Sequence, residues 1–592
     1  MNERKPTWED GLYLLALLAA LTARLVNLGS VSLTDGEAVH ALQAFKLATG
    51  QALVFSSPPL YVLPTAGLFA LFGSSDFLAR LLPALAGSVV ILFPRALRGM
   101  LGRWFALALA FALALDPALV AASRQAGGAM LAFVFFGLAV MAFWNVRSFQ
   151  AGVFTGLALL SGVNFWLGLL FFLLTPLLVY AFKPQGEEDE STVSRYQLLE
   201  SPFFAGIVWK TWLIGFAGSI LLMGTAFMIQ PAGFGAVLGG LADFFTGWGT
   251  RDGVTISQML ISLPVYFPFA LIFGVLSIFF KDGEFQSFRT HLVVWGFLVL
   301  FFVIIYPGRD PSFLIWLTPV LWLLAVRFLA SRLWVGEETR WIAIGQSVLV
   351  FVMCLFAWSK LLELIRGFSL DESAQRISLA LILASITIIL LITLLVTWGW
   401  NLRTSLVGLA GGLAAAMLLL TLGASSSASG FGEQVSSELW SQPDYVVRSN
   451  LLMDTIGDVA EWNTPSRDGL DLVVAGVDTP ALRWMLRNYS AVEFVNALPI
   501  HASPSMVLTP MQESLAASAN YSGHDFVLGQ QPAWKNLFPS EYFQWAVTRT
   551  VLMDKQMVVL WVRTDRFPGL RYQPIVEDSA EAEVEIIPES AP

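Results

Sequence analysis

Charge, cysteine and histidine are all scarce in this chain. Of 592 residues only 13% are Asp, Glu, Lys or Arg, with one cysteine and four histidines. Cys354 lies inside an apolar run, so no disulfide framework and no thiolate metal cluster is available. His40, His291, His501 and His524 are scattered and make no ligand spacing. There is no phosphate-binding P-loop, no dinucleotide glycine fingerprint after a strand, no His-Glu-x-x-His and no Gly-x-Ser-x-Gly elbow in a fitting context. ATP-driven transport and zinc proteolysis are thereby set aside, and no nucleic-acid partner is expected.

What is abundant is apolar. Hydrophobic residues make up 56% of the chain and mean hydropathy is +0.68, the composition of a polytopic membrane protein. Apolar runs recur from Gly11 to Gly423, each long enough to cross a hydrocarbon core of roughly 30 Å as a helix. The first run follows Arg4 and Lys5 but lacks a small-x-small cleavage site, so it reads as a retained span. Thirteen spans are predicted: 11–28, 77–97, 103–122, 129–145, 149–163, 164–182, 205–229, 257–280, 288–306, 312–332, 340–362, 377–398 and 403–423.

Basic residues set the expected orientation. Arg95, Arg98 and Arg103 cluster, and Arg147, Lys183, Lys281, Arg289, Arg327, Arg332, Arg340 and Arg403 mark later turns of the same, cytoplasmic side. For Arg4 and Lys5 to share that side, the Pro-interrupted stretch 59–72 must lie in the outer interface without spanning. The N-terminus is then cytoplasmic, and an odd span count places the C-terminal part outside a multi-pass plasma-membrane protein. Outer loops fall at 29–76, 123–128, 230–256, 308–310 and 363–376. In the loop 230–256, Phe244, Phe245, Trp248, Arg251 and Asp252 read either as an aromatic belt or as part of an acceptor site.

The expected domains are a membrane domain over 1–424, an extracytoplasmic α/β domain over 425–573, and an acidic disordered tail over 574–592. Within the α/β domain, helical periodicity covers 451–462, 480–489 and 539–549, and β-rich runs cover 471–477, 492–498, 505–508 and 557–562. The tail and Glu187-Glu188-Asp189-Glu190 supply much of the net charge of -9 and read as solvated runs.

The first outer loop carries Thr34-Asp35-Gly36-Glu37, a capping box in which Thr34 caps a helix and Glu37 reaches back to its N–H. Ala38, Ala41, Leu42, Phe45 and Ala48 form the apolar stripe, and Gly50 is the stop. Glu37 is explained by structure alone, and Asp35 suits a helix N-terminus; ionisable groups beside a bilayer are equally functional candidates. Asp35 and Glu37 could ligate a divalent cation together with phosphate oxygens, but two carboxylates without a third ligand define no metal site, so metal use stays open; no organic cofactor is expected.

Here the chain resembles a family. "TARLVNLGSVSLTDGEAVHALQAFKLATG", followed by "SSPPLYVLPTAGLFALFGSSDFLARLLPALAGSVVILFPRAL", is similar to the start of GT-C glycosyltransferases of the protein O-mannosyltransferase and aminoarabinose-transferase type. Looser likeness follows at "YPGRDPSFLIWLTPVLWLLA" and "TPALRWMLRNY". The resemblance implies inverting transfer of a sugar from a polyprenyl-phosphate carrier to a glycan, lipid or protein acceptor at the outer membrane face. It also implies Asp35 as base with Glu37 beside it, and His40, Tyr61, Arg24, Arg124 and Arg309 as substrate-binding groups, the arginines against the lipid phosphate. The chain departs from the pattern where the family has adjacent Asp-Glu: with Glu37 at the Glu position, Gly36 stands at the Asp position. A non-catalytic relative that binds or handles lipid-linked glycans is the alternative; a secondary transporter ranks third, for want of polar residues in central spans and of an inverted repeat.

Overall fold

The computed structural model describes residues 7–51, 58–182, 206–231, 233–250, 254–280, 285–332, 335–366, 372–431, 438–440, 449–464, 466–499, 501–512, 514–534 and 537–566. The acidic run 187–190, Arg251, Asp252 and the acidic tail lie outside them. Two compact units divide the chain: 1–449 with 479–485 and 527–556, and 450–478 with 486–526 and 557–592.

The first unit is helical. Among the described residues seven helices are long and apolar enough to cross a bilayer, or nine if two bent pairs each count as one span. All thirteen predicted segments contain helix, but four fall short of the requirement of about 18 uncharged residues. Trp8–Leu25 carries Glu9, Asp10 and Arg24, and Ala129–Trp144, Ser148–Leu159 and Trp209–Gly224 have 16, 12 and 16 residues.

Over the predicted span 257–280 the chain forms two helices, Ile256–Tyr266 and Pro268–Ile278, meeting at 93°. Pro268 removes an N–H, and its ring excludes helical geometry for Phe267 (φ -127, ψ 42). The predicted span 103–122 likewise bends by 50° between Arg103–Ala114 and Pro117–Ser123. Buried Asp116 caps the second piece by accepting the Leu119 N–H at 2.8 Å and also accepts Trp322 Nε1–H at 2.8 Å. One side chain thus satisfies the broken helix and ties it to Thr318–Arg332.

Small residues bring helices together where lipid offers no hydrophobic drive. A Cβ on Gly152 would sit 2.0 Å from the Trp212 carbonyl oxygen, and one on Gly156 equally close to Ser219 Oγ. Ser148–Leu159 and Trp209–Gly224 therefore touch backbone to backbone.

The acidic turn after the opening helix forms the elements its sequence predicts. Thr34 caps Asp35–Ala48 with both capping-box bonds formed, and Gly50 ends it at φ +70. Pro59–Phe72 follows with Pro59 at the first position, where its missing N–H costs nothing.

The second unit holds most of a mixed five-stranded sheet of order β2-β1-β3-β5-β4, with β1 Leu472–Ala475, β2 Val492–Val495, β3 Met506–Pro510, β4 Tyr521–Pro532 and β5 Met553–Arg563. β1 pairs in parallel with β2 and β3, and β3 is antiparallel to β5. β4 is an addition to the expected strands. Its Ser522-Gly523-His524-Asp525 run has too little apolar alternation to stand out. The helix expected over 480–489 is shorter, Pro480–Met485.

Candidate active site

The capping box fixes the register of the acidic turn. Glu37 points inward and is buried, where its carboxylate accepts Arg80 Nε–H at 2.7 Å and Arg80 Nη2–H at 2.6 Å. It also accepts the Ala126 N–H at 2.8 Å and the Thr34 N–H at 3.1 Å. Burial would raise this carboxyl, but Arg80 and the backbone donors outweigh it and hold the group below the ordinary range. Arg80 also donates to the carbonyls of Leu28, Val31 and Ser32, stapling the incoming loop. No role was expected of Arg80; its signal was a guanidinium one turn into the apolar run Asp76–Ala96, far from the basic cluster at Arg95 and Arg98.

Asp35 turns the other way. Its Oδ1 accepts the Ala481 N–H at 2.7 Å and so serves the start of Pro480–Met485, while Asp76 Oδ1 accepts Trp484 Nε1–H at 2.6 Å. Trp484 is buried against Phe45 and Phe69. These contacts seat the helix on the outer loop.

Between the acidic turn and four other segments lies an open cavity of about 450 Å³. Its walls are Gly36, Glu37 and His40; the turn 125–129; 161–164; Asp243, Thr246, Gly247 and Thr250; and Tyr306, Gly308, Asp310, Ser312 and Phe313. Every one of these segments lies in a loop or at a span end that the charge pattern placed on the outer side. Glycine makes the convergence feasible: a Cβ on Gly128 would fall 2.0 Å from the Ser161 carbonyl oxygen, and one on Gly240 within 2.5 Å of the Gly162 backbone.

The lining mixes polar side chains with glycine and apolar residues, and few of its side chains carry charge. His40 Nδ1 and Asn164 Oδ1 are buried with no hydrogen-bond partner among the described residues. Burial, only partly offset by Glu37, lowers His40 to about 4, so the ring is neutral at physiological pH. Partial burial raises the Asp243 carboxyl. Tyr306 donates its hydroxyl to the Phe244 carbonyl at 2.9 Å and stacks on Phe244 and Phe302; Trp248 meets Tyr306 edge-on. Asp310 accepts the Ser312 N–H at 2.8 Å and caps the following turn.

The remaining expected site residues do not line the cavity. Tyr61, fully buried, donates to the Ala79 carbonyl at 2.8 Å, and its ring stands 6.1 Å from His40. Arg24 is buried, donating to Ser123 Oγ and to the Ala20 and Ala114 carbonyls. Arg124 binds the carbonyls of Arg24, Val26 and Asn27 where the opening helix ends; burial, with some help from Arg80, lowers it to about 10, still protonated at neutral pH. Arg309 does the same for Gln286–Ile305 through Val303 and Ile304, and binds the Val254 carbonyl. No Lys or Arg lines the cavity among the described residues. Nor do three His, Cys, Asp or Glu side chains gather as a metal would require, and Asp35 and Glu37 face different partners.

No family model and no curated protein sequence matches the chain. Among solved structures it is similar to ArnT from Cupriavidus metallidurans bound to undecaprenyl phosphate, at 14% identity and a TM-score of 0.49 over 94% of this chain and 98% of that one. It is also similar to the oligosaccharyltransferase AglB from Archaeoglobus fulgidus in complex with an inhibitory peptide and a dolichol-phosphate. There the identity is 12% and the TM-score 0.41, over 85% of this chain and 69% of that one. Both neighbours are GT-C superfamily members.

Proposed function

We propose that the chain is a membrane glycosyltransferase that moves a sugar from a polyprenyl-phosphate carrier to an acceptor at the outer membrane face. The supporting observation is the cavity: five segments assigned to one side of the bilayer close around a hollow of about 450 Å³, where His40 and Asn164 hold polar atoms without hydrogen-bond partners among the described residues. A buried polar atom left unpaired costs about 1–3 kcal/mol, and a hydroxyl-rich ligand would relieve that cost. A neutral imidazole and an amide suit sugar hydroxyls.

A second reading, a non-catalytic protein that binds lipid-linked glycans, draws on the acidic turn. Gly36 gives the cavity wall no side chain, Asp35 is engaged with Ala481, and Glu37 is engaged with Arg80. Membrane vesicles containing the chain, given undecaprenyl-phosphate-linked radiolabelled mannose or glucose, separate the two. Transfer of label into a lipid-insoluble acceptor is expected of the transferase. Saturable retention of the donor without transfer would establish the binding protein instead.

A further inference from the structure

Among the described residues, one carboxylate in the cavity lining takes part in no side-chain hydrogen bond or ion pair. Of its three acidic lining residues, Glu37 is held by Arg80 and backbone donors, and Asp310 by the Ser312 N–H. Asp243 makes no side-chain hydrogen bond or ion pair among the described residues. The two hydroxyls nearest to it in the chain and across the wall are both committed to backbone, Thr246 Oγ1 to the Asp243 carbonyl and Tyr306 to the Phe244 carbonyl.

Its placement is directed. Asp243 lies on the short helix Gly239–Thr246; it and Thr246, one turn apart, line the cavity together with Gly247 and Thr250 of the turn that follows. Gly247 closes that turn against Tyr306 so tightly that a Cβ would meet the hydroxyl at 1.8 Å. The Tyr306 hydroxyl is thereby packed against the turn that follows Asp243. Opposite in role, Gly36 contributes only backbone to the same hollow.

We propose that Asp243 is the general base of the transfer and that His40 and Asn164 hold the sugar. In the step, the acceptor oxygen bonds to the anomeric carbon while the bond from that carbon to the phosphate oxygen breaks. The bonding pair leaves with the polyprenyl phosphate, and the acceptor hydroxyl proton passes to the Asp243 carboxylate. Partial burial raises this carboxyl above its ordinary value, which favours proton capture. The assignment rests on the transferase reading above.

The test compares wild type, Asp243→Asn and Asp243→Glu in vesicles supplied with undecaprenyl-phosphate-linked mannose or glucose, whichever wild type turns over. Released undecaprenyl phosphate is followed at several donor concentrations. Removal of a general base lowers turnover by about 100-fold or more, so Asp243→Asn is expected to lose that much in kcat with KM within about threefold. Asp243→Glu, which keeps the carboxylate, is expected to retain more turnover than Asp243→Asn. Asn164→Ala is expected to raise KM. Size exclusion establishes that each variant is folded; should Asp243→Asn aggregate, Asp243→Ser takes its place. Asp243→Asn turning over within about threefold of wild type would overturn the assignment and leave the transferase reading standing. Wild type releasing no more than empty vesicles with either donor would overturn the reading and the assignment together.

Discussion

Replacing Glu37 by Gln tests the hinge on which the outer loop is built. The carboxylate and Arg80 are both buried, with side-chain exposures of 5% and 8%, and they meet at 2.6 Å. Gln is isosteric but neutral, so the substitution leaves the Arg80 guanidinium buried without its counter-charge. Breaking a buried pair in this way costs about 3–5 kcal/mol. The carbonyls of Leu28, Val31 and Ser32 still accept from Arg80, which places the loss near the lower end. Glu37→Gln is therefore expected to destabilise the protein by about 3 kcal/mol in detergent, read by tryptophan fluorescence on thermal unfolding. The double variant Glu37→Gln, Arg80→Met removes both charges and is expected to recover part of the loss, a coupling of roughly 1–3 kcal/mol. Unfolding of Glu37→Gln at the wild-type temperature, or strict additivity in the double variant, would refute the argument.

Three further outcomes follow from the same geometry. His40 is held down from 6.5 to about 4, so below pH 6.5 the unfolded chain takes a proton that the folded chain refuses; stability present above 6.5 is lost as pH falls toward 4, by at most ~3 kcal/mol. His40→Gln is expected to flatten thermal stability measured between pH 7 and 4.5, and an unchanged slope would count against the buried neutral ring. Gly128→Ala forces a Cβ to within 2.0 Å of the Ser161 carbonyl oxygen, so overpacking of about 1–3 kcal/mol is expected on thermal unfolding, whereas Gly127→Ala meets only His40 at 3.6 Å and is expected to be mild. Asp76→Asn weakens the bond that Trp484 Nε1–H makes at 2.6 Å, and faster proteolysis near Pro480–Met485 is expected; protection equal to wild type would show that the aromatic contacts alone seat that helix.

The parts of this molecule written in local chemistry were legible. Thr34 and Glu37 announced their helix by the capping box, Pro59 opened the next one, and apolar length marked the long helices from Val163–Ala181 to Leu402–Ala428. Bends were harder to see, because Pro264 and Pro268 are separated by apolar residues that read equally well in one straight span. The site was harder still. Its charges are set by which residues meet across long sequence separations, as Glu37 meets Arg80, Asp35 meets Ala481, and Asp116 meets Trp322. Position in the outer loops singled out Asp35, Arg124 and Arg309. Only the fold revealed that each is already bonded to backbone and that Asn164 and Asp243 share a cavity with His40.

The proposed transfer requires the cavity lined by His40, Asn164 and Asp243 to receive a lipid-linked phosphosugar. A photoactivatable undecaprenyl phosphate, crosslinked to the protein in vesicles and mapped by mass spectrometry, tests this most directly. Labelling at 125–129, 161–164 and 243–250, competed by unlabelled undecaprenyl phosphate, is the predicted result. Labelling confined to the lipid-exposed helix Glu372–Gly399, undiminished by competitor, would contradict it.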